Sequence, residues 1–416
     1  MKKPALLLIL SLALLIPLFS KGETPSLFNI DKELEEFPRI ELSDGDEEYY
    51  GAMDFYLVTG GPGSLVWENF GHTAILMVSP SSFPVAYDWG IFSFDESFFA
   101  NFAFGRLYYE AWATYGEYRI KVLEEDDRSV GILKMELTTR EKKEMASFLS
   151  YATREENRTY LYDYFRDNCA TRPRDIYSWA TGGEFEEVLK GETAPESIRE
   201  TVERHLSLSS FPVAWTISYL LGPSVDGKCT LWDACFLPST LEKEIQRYQG
   251  NQKTTYYESK DRDTVPQKWN MKVPSFLMGL ILFLIPILFL TGKRWAERIG
   301  DAALGLVYLY FAILSLVLIF FMAFTIHKVT YGNINVLIIS PLCLAASVLH
   351  FSSLGKKRRE KWMGINLMVM VFLLLLSVIL RFFPAFSVQD SLSVYIPAAM
   401  LYLSEGAASL IRRKRA

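Results

Sequence analysis

The amino-acid sequence predicts an α+β exported domain followed by an all-α membrane bundle of about five helices. Of the 416 residues, 50% are hydrophobic and 22% are charged. This charged fraction is too high for a membrane bundle alone, while the hydropathy is too high for a soluble enzyme alone. Apolar stretches are concentrated after residue 272, and β-rich segments precede helical ones in the region before it. We therefore expect a soluble part joined to a membrane part.

The N-terminus has the layout of a secretory signal peptide. Lys2 and Lys3 precede an apolar run over residues 4–19, which Ser20 follows. Leu18 is a poor residue three positions before a cleavage after Ser20, so an uncleaved N-terminal anchor is the alternative. The predicted segments are 1–22 (signal peptide or anchor), 23–268 (exported domain) and 269–416 (transmembrane domain).

Five apolar stretches in the C-terminal part each approach the roughly 20 residues that a helix needs to cross the hydrocarbon core. They cover residues 273–290, 302–326, 334–352, 363–382 and 392–411. Lysine and arginine cluster after the first, third and fifth stretches, and basic loops stay in the cytoplasm. We therefore expect a cytoplasmic C-terminus and an exported region before the first stretch.

Local patterns in the exported segment place its motifs on strands and helices. Alternating, β-rich segments predict strands over 55–59, 72–78, 85–89 and 118–123. Helical periodicity, with Thr139 as a cap, predicts a helix over 138–151, and a further helix begins near Cys169. The acidic segment 31–48 is predicted to be a loose lead-in, and the polar segment 250–268 a linker.

Cys169 and His72 are the pair of residues with the clearest chemistry. A thiol at a helix N-terminus lies at the positive end of the macrodipole and beside unpaired N–H groups. This environment favours the thiolate, and the same N–H groups can hold an oxyanion. An imidazole on a strand is a natural base for such a thiol. From these residues alone, the alternative is a buried structural cysteine and a core histidine.

Longer motifs around these residues resemble a known family. They read ENFGHTA over 68–74, YDWG over 87–90, FGRLYY over 104–109 and DNCATRPRD over 167–175. Together they resemble the periplasmic domain of the Lnb-type bacterial lipoprotein N-acyltransferases, over about 50–245. NINVL at 333–337 and SPL at 340–342 give a weaker match to the membrane part of that family. The resemblance implies a permuted papain-like fold, as in lecithin–retinol acyltransferases, on a bacterial inner membrane protein.

The resemblance also implies roles for individual residues. Cys169 would be the nucleophile and His72 its base. Asp88, on the next predicted strand, would orient the imidazole, as the third member of a triad does, or else cap a turn. Asn168 would position the oxyanion or, alternatively, cap the helix that holds the cysteine.

Two arginines and a run of aromatic residues are candidate substrate contacts. Arg172 and Arg174 would hold a lipid phosphate, or else pair with Asp167 and Asp175 on the same helix. Eight aromatic side chains between residues 92 and 109 are expected in the core, with a wall for an acyl chain as the alternative.

The remaining polar residues have plainer interpretations. Cys229 and Cys235 are spaced for a small disulfide loop in an exported domain, and a zinc site would need two further ligands. His205 is expected at the surface, and His350 is expected to pack in a membrane helix. Glu405 is either functional or reaches for the cytoplasmic interface. No phosphate-loop, dinucleotide-binding or metal-binding motif occurs in the sequence, so we expect no cofactor and no metal.

Three functions are consistent with these features. The resemblance implies an acyltransferase at a lipid bilayer, moving a fatty acyl chain from a phospholipid, through a Cys169 thioester, to the N-terminal amine of a diacylated lipoprotein. The alternatives are a periplasmic cysteine hydrolase of peptidoglycan peptides or lipid esters, and a non-catalytic envelope assembly protein. A net charge of −5, without a basic stripe on a soluble segment, argues against a nucleic-acid partner.

Overall fold

The computed structural model describes residues 30–261 and 264–414, which form two compact units. The sheet unit comprises residues 30–209 and 228–267. The helical unit comprises residues 210–227 and 268–414. The predicted signal or anchor segment, 1–22, lies outside the described residues.

An antiparallel sheet of seven described strands is the framework of the sheet unit. The strands are β1 (Asp54–Gly60), β2 (His72–Val78), β3 (Val85–Ile91), β4 (Tyr108–Tyr115), β5 (Val130–Met135), β6 (Thr159–Leu161) and β7 (Thr254–Tyr257). Their order across the sheet is β6-β4-β3-β2-β1-β5-β7. Side chains that alternate along β1, such as Phe55 and Leu57, are fully buried and share one core with Met145 and Phe148.

Helices surround this sheet within the same unit. They are α1 (Ile30–Glu36), α2 (Asp46–Gly51), α3 (Phe98–Ala103), α4 (Gly116–Glu125), α5 (Thr139–Ala152), α6 (Thr171–Ala180), α7 (Glu184–Lys190), α8 (Ile198–Leu206), α10 (Leu231–Ala234) and α11 (Pro238–Gln249). The predicted strands over 55–59, 72–78 and 85–89 and the predicted helix over 138–151 are confirmed. The cap of α5 is Thr138 rather than Thr139, since the Thr138 side chain accepts the N–H of Glu141.

Three local predictions are wrong. Residues 118–123 lie in helix α4 and not in a strand, because Gly116, Ile120 and Leu123 turn inward at helical spacing. The acidic lead-in contains α1 and α2, and α1 buries Ile30 and Leu34 in the core. The predicted linker contains β7, which pairs with β5.

The helical unit contains four helical segments long and apolar enough to cross a membrane, among the described residues. Its helices are α9 (Phe211–Leu220), α12 (Lys272–Leu284), α13 (Ile287–Leu290), α14 (Arg294–Phe324), α15 (Asn335–Ile338), α16 (Cys343–Phe351), α17 (Lys356–Leu380), α18 (Pro384–Ser387) and α19 (Leu392–Lys414). The candidate spans are α12 with α13, α14, α17 and α19. The third predicted stretch, 334–352, is divided into α15 and α16 around Pro341, which lacks the N–H of a helix interior.

Residues 210–227 belong to the helical unit although they lie between segments of the sheet unit. The indole N–H of Trp215, on α9, donates to the carbonyl of Ser393 at 3.0 Å. The side-chain amide of Asn333 donates to the carbonyls of Tyr219 and Leu221, each at 3.0 Å. The asparagine-rich stretch before α15 therefore anchors the end of α9.

A buried ionic cluster closes one end of the helical unit. His350 lies between two carboxylates, with Nε2 2.8 Å from Glu405 and Nδ1 3.1 Å from Asp301. Arg412 lies 3.3 Å from Glu405 and 3.3 Å from Glu360. Glu405 is 0% exposed and its carboxylate is paired inside the bundle, so the alternative that it reaches for the cytoplasmic interface does not hold.

Candidate active site

His72 and Asp88 meet because their strands are neighbours in the sheet. β2 pairs with β3 in a register that places Ala74 opposite Asp88, and His72 opens β2. His72 Nε2 lies 2.7 Å from Asp88 Oδ1. The second carboxylate oxygen of Asp88 lies 3.1 Å from Nε of Arg119 on α4. Asp88 therefore holds the imidazole on one side and is itself held by a guanidinium on the other.

Cys169 lies on the segment that leads into α6, beside the start of β2. The hydroxyl of Thr73, next to His72 in the chain, donates to the carbonyl of Cys169. Gly90 lies on the other side, with φ +85°, and a methyl group added there would lie 3.9 Å from the Cys169 β-carbon. This positive φ favours glycine at a position that lies beside the Cys169 side chain. Cys169 remains partly exposed, which a nucleophile requires.

The charges of this group shift its pKa values in the sense of a thiolate–imidazolium pair. Burial opposes the shift at Cys169, but the adjacent His72 imidazole lowers the pKa of the thiol on balance. Burial and the Arg119 cation oppose the shift at His72, but the Cys169 thiolate and the Asp88 hydrogen bond raise its pKa. Arg119 overcomes burial to keep the pKa of Asp88 low. Since Nε2 of His72 faces Asp88, Nδ1 is left to exchange a proton with the thiol.

Asn168 is a cap, and not a group that faces the thiol side of the site. Its side-chain oxygen accepts the N–H groups of Ala170 and Thr171 at 2.7 and 2.9 Å, and its amide nitrogen donates to two carbonyls. Helix α6 begins at Thr171, two residues later than Cys169. The predicted use of the first helical N–H groups for an oxyanion is therefore wrong, because the Asn168 side chain already occupies them. The Cys169 N–H makes no hydrogen bond within the described residues.

Arg172 and Arg174 do not form the predicted phosphate site, because both are buried and paired. Arg172 makes a two-pronged bond to Asp167, at 2.5 and 3.1 Å, and lies 3.7 Å from the Tyr160 ring centroid. Arg174 donates to Asp175 at 2.7 Å and stacks on an indole ring. The alternative partners, Asp167 and Asp175, are the ones that the structure has, although Asp167 precedes α6 and does not lie on it.

His205 is also not where the sequence placed it. It is 4% exposed, and its Nδ1 lies 2.8 Å from the carbonyl of Asn69. Its ring stacks on Phe70, at 5.5 Å between centroids. Both contacts fall on the 3₁₀ turn Val66–Phe70, which leads directly into His72. His205 therefore holds the turn that precedes His72, the candidate catalytic histidine.

Cys229 and Cys235 are free thiols in the structure, so the predicted disulfide is not formed. Cys235 is the C-cap residue of α10, and its side chain is buried in the main core. Cys229 precedes α10, and its thiol donates to the carbonyl of Glu196 at 3.2 Å. The two residues flank α10, Cys229 before its N-cap and Cys235 at its C-cap, and close spacing in the chain does not join the sulfurs.

A chain of aromatic rings connects the thiol to an exposed apolar surface. A methyl group added at Gly90 would lie 3.5 Å from the Tyr162 ring, so this ring lines the position beside Cys169. Tyr162 lies 4.8 Å from Tyr109 between ring centroids, and Tyr109 lies 4.9 Å from Phe92. Phe92 in turn lies 5.4 Å from Phe98 on α3. The outer rings are open to solvent, with Phe94 64%, Phe99 72% and Tyr108 50% exposed. The core interpretation of this run is therefore wrong for its outer members, and an exposed patch of this kind marks an interaction surface.

Arg119 is the site residue that sequence reasoning missed. The residues around it alternate in polarity and were assigned to a strand, which hid the helical spacing that turns Arg119 toward Asp88. The signal that could have found Arg119 is Asp88 on β3, an acidic residue that needs a basic partner when it is buried.

Comparison with known proteins supports both units. A family model described as the Lnb N-terminal periplasmic domain matches residues 49–204, and one described as the Lnb transmembrane domain matches residues 267–412. No match was found among curated proteins or among solved structures.

Proposed function

Since the chain belongs to the Lnb family, we propose that it is a membrane-bound, cysteine-dependent acyltransferase. It would move a fatty acyl chain from a phospholipid to the N-terminal amine of a diacylated lipoprotein. The observation that carries this proposal is the partly exposed Cys169 thiol beside an imidazole that Asp88 holds at 2.7 Å. We further propose that the sheet unit has a permuted papain-like fold, in which the histidine precedes the cysteine.

The first half-reaction forms an acyl-thioester. The Cys169 thiolate attacks the ester carbonyl carbon of the phospholipid, so that a C–S bond forms and the ester C–O bond breaks. The His72 imidazolium gives its proton to the departing alkoxide, and lysophospholipid leaves. The developing oxyanion would accept the N–H of Cys169, which makes no hydrogen bond within the described residues.

The second half-reaction transfers the acyl group to nitrogen. The amine of the lipoprotein's N-terminal cysteine attacks the thioester, an N–C bond forms and the C–S bond breaks. His72 takes the proton from the amine, and the thiolate–imidazolium pair is restored. Asp88 keeps Nε2 occupied in both steps, so that Nδ1 serves as the proton carrier throughout.

The aromatic surface gives the acyl chain a place to lie. The rings from Tyr162 through Tyr109 and Phe92 make a continuous apolar path, which begins beside Gly90 near the thiol. It ends at the exposed rings of α3, where an alkyl chain arriving from a membrane would bury apolar area. We propose that this path holds the acyl chain of the donor and of the thioester.

The cellular placement follows from the charge pattern and the family. We propose a multi-pass protein of the bacterial inner membrane, with the sheet unit in the periplasm and the C-terminus in the cytoplasm. The bilayer would supply the phospholipid and the diacylated lipoprotein, which are the proposed partners. No cofactor is required by the chemistry above.

The decisive experiment traps the intermediate. Full-length protein incubated with phospholipid alone should gain one fatty acyl mass on the peptide that holds Cys169, and hydroxylamine should remove it. Addition of a diacylated lipopeptide should move the label to the peptide's amine. A label lost to water at the same rate with or without lipopeptide would indicate the hydrolase instead. Absence of any label would indicate a non-catalytic protein.

A further inference from the structure

A groove at one end of the helical unit has a basic rim and an apolar floor. It has a volume of about 680 Å³ and lies between the start of α17 and the end of α19. Lys356, Lys357, Lys361 and Arg413 line its rim, and Ile365 and Met368 continue it along α17. This is the same end of the unit as the ionic cluster, because Arg359 on α17 pairs with Asp301 near the start of α14.

Most of the positive charge in this groove has no acidic partner among the described residues. Glu360 is the carboxylate in its lining, and its oxygens already accept from Ser409 at 2.8 Å and from Arg412 at 3.3 Å. Within the described residues, neither Lys357 nor Lys361 makes an ion pair. Glu360 and Arg412 therefore neutralise each other, and the charges of Lys357 and Lys361 are left without an acidic partner.

The lysines of this groove lie near the N-terminus of α17, where the helix dipole adds to their positive electrostatic potential. A helix N-terminus carries a partial positive charge, which favours acidic residues there. The first turn of α17 has no acidic residue, and its N-cap, Gly355, provides no side-chain cap. Lysines at this position repel one another and the helix dipole, and a bound anion would relieve both repulsions.

The shape of the groove depends on Gly364. A methyl group added at Gly364 would lie 3.4 Å from a guanidinium nitrogen of Arg413. Glycine inside a helix costs stability relative to alanine, so its presence in α17 needs a reason such as close approach. Here the missing side chain leaves the space between the charged rim and the apolar floor open.

We infer that this groove binds one anionic phospholipid. The headgroup phosphate would lie among Lys357, Lys361 and Arg413, and an acyl chain would run along Ile365 and Met368, parallel to α17. Basic pockets between membrane helices take anionic headgroups in this way. The site is separate from the acyl donor site proposed for the sheet unit and does not depend on the reaction assigned there.

The test measures lipid retention by the full-length protein in mild detergent, using native mass spectrometry. Titration with phosphatidylglycerol should show one saturable site that phosphatidylcholine does not fill. The variant Lys357→Gln/Lys361→Gln/Arg413→Gln should bind roughly a hundredfold more weakly, at about 1 kcal/mol for each charge. Inorganic phosphate should fail to displace the lipid, since it lacks the acyl contact.

A matched control removes three charges from the same end outside the groove. Lys293→Gln/Arg294→Gln/Arg298→Gln should leave the binding of phosphatidylglycerol unchanged within about twofold. An equal loss of phosphatidylglycerol binding in both triple variants would show that the basic residues attract the lipid only through their total charge. That result would overturn the site.

A second variant keeps every charge and changes only the shape. Gly364→Leu should reduce binding at least tenfold, because its side chain would enter the groove. The nearest atom is the end of a flexible arginine, and leucine favours a helix, so the fold should tolerate the change. Undiminished binding by this variant would refute the pocket.

Discussion

His72 and His350 are both held by carboxylates, yet only His72 lies beside a partly exposed thiol. His72 has one carboxylate partner, Asp88 at 2.7 Å, and a partly exposed thiol on its other side. His350 has two carboxylate partners, at 2.8 and 3.1 Å, and its side chain is 0% exposed. Cys343 on the same helix points toward Met370 instead, at 4.0 Å. The two histidines therefore differ in what accompanies the carboxylate, which is an accessible thiol at His72 and complete enclosure at His350.

The charges around the two histidines lead to the same conclusion. The cluster around His350 contains the carboxylates of Asp301, Glu360 and Glu405 and the guanidinium groups of Arg359 and Arg412. The His350 side chain is therefore enclosed by ionic contacts inside the bundle. At the thiol site His72 faces the carboxylate of Asp88 and the Cys169 thiol, whose pKa the imidazole lowers. This contrast yields four predictions.

The largest effect is expected at the thiol site. His72→Ala should lower acyl transfer by roughly a thousandfold, since positioned acid–base groups contribute about 10²–10⁴. It should also raise the pKa of Cys169, because the imidazole that lowers it is gone. Rates of iodoacetamide labelling at Cys169 across pH would report this, with the curve moving to higher pH. His350→Ala is the control, and a similar shift in that variant would contradict the distinction between the two histidines.

The second prediction concerns the buried ionic cluster around His350. His350→Ala should destabilise the helical unit by about 3–5 kcal/mol, because it leaves buried carboxylates without a partner. Cys343 and Cys235 are both 0% exposed, one in each unit, so their labelling rates report the opening of each unit separately. In His350→Ala, Cys343 should label faster while Cys235 keeps its wild-type rate. Unchanged protection of Cys343 would show that the cluster contributes little to stability.

A third, smaller effect concerns His205, which supports the turn before His72. Burial lowers the pKa of His205 to about 4. The unfolded chain, with a value near 6.5, binds more protons between those two pH values, so stability is lost as pH falls through this window. The loss should be about 2 kcal/mol by pH 5. In His205→Gln this contribution should vanish, and the pH dependence of Cys235 protection should flatten; an unaltered slope would assign the acid sensitivity elsewhere.

The smallest effect is expected at Arg119. Arg119→Gln should lower transfer about tenfold, since it acts on His72 only through Asp88. The pKa of Asp88 should rise when the guanidinium is gone, so the acid limb of the pH–rate profile should move to higher pH. Arg119→Lys should restore most of the original profile. A variant with reduced activity but an unmoved profile would indicate a merely structural role.

The sequence could predict contacts between neighbouring strands but not contacts set by packing. His72 and Asp88 were accessible to prediction because consecutive β-rich segments commonly pair, and here they do. The burial of Arg172 was not, since its partner Glu33 lies in a segment that read as a loose lead-in. The family model supports the resemblance that motivated Cys169 as a candidate. The place of α9 was missed because a helix of ten residues falls below the length of a membrane span.

Because residues 210–227 belong to the helical unit, they limit how the chain can be divided into fragments. Within residues 30–414, the chain crosses between the units three times, near residues 209, 227 and 267, so a single cut there cannot separate them. A fragment ending at residue 268 would also carry α9 without the groups that hold it, leaving Trp215 and its apolar neighbours uncovered. Such a fragment should aggregate. A soluble thiol domain would require replacing residues 210–227 with a short polar linker and ending the chain after β7.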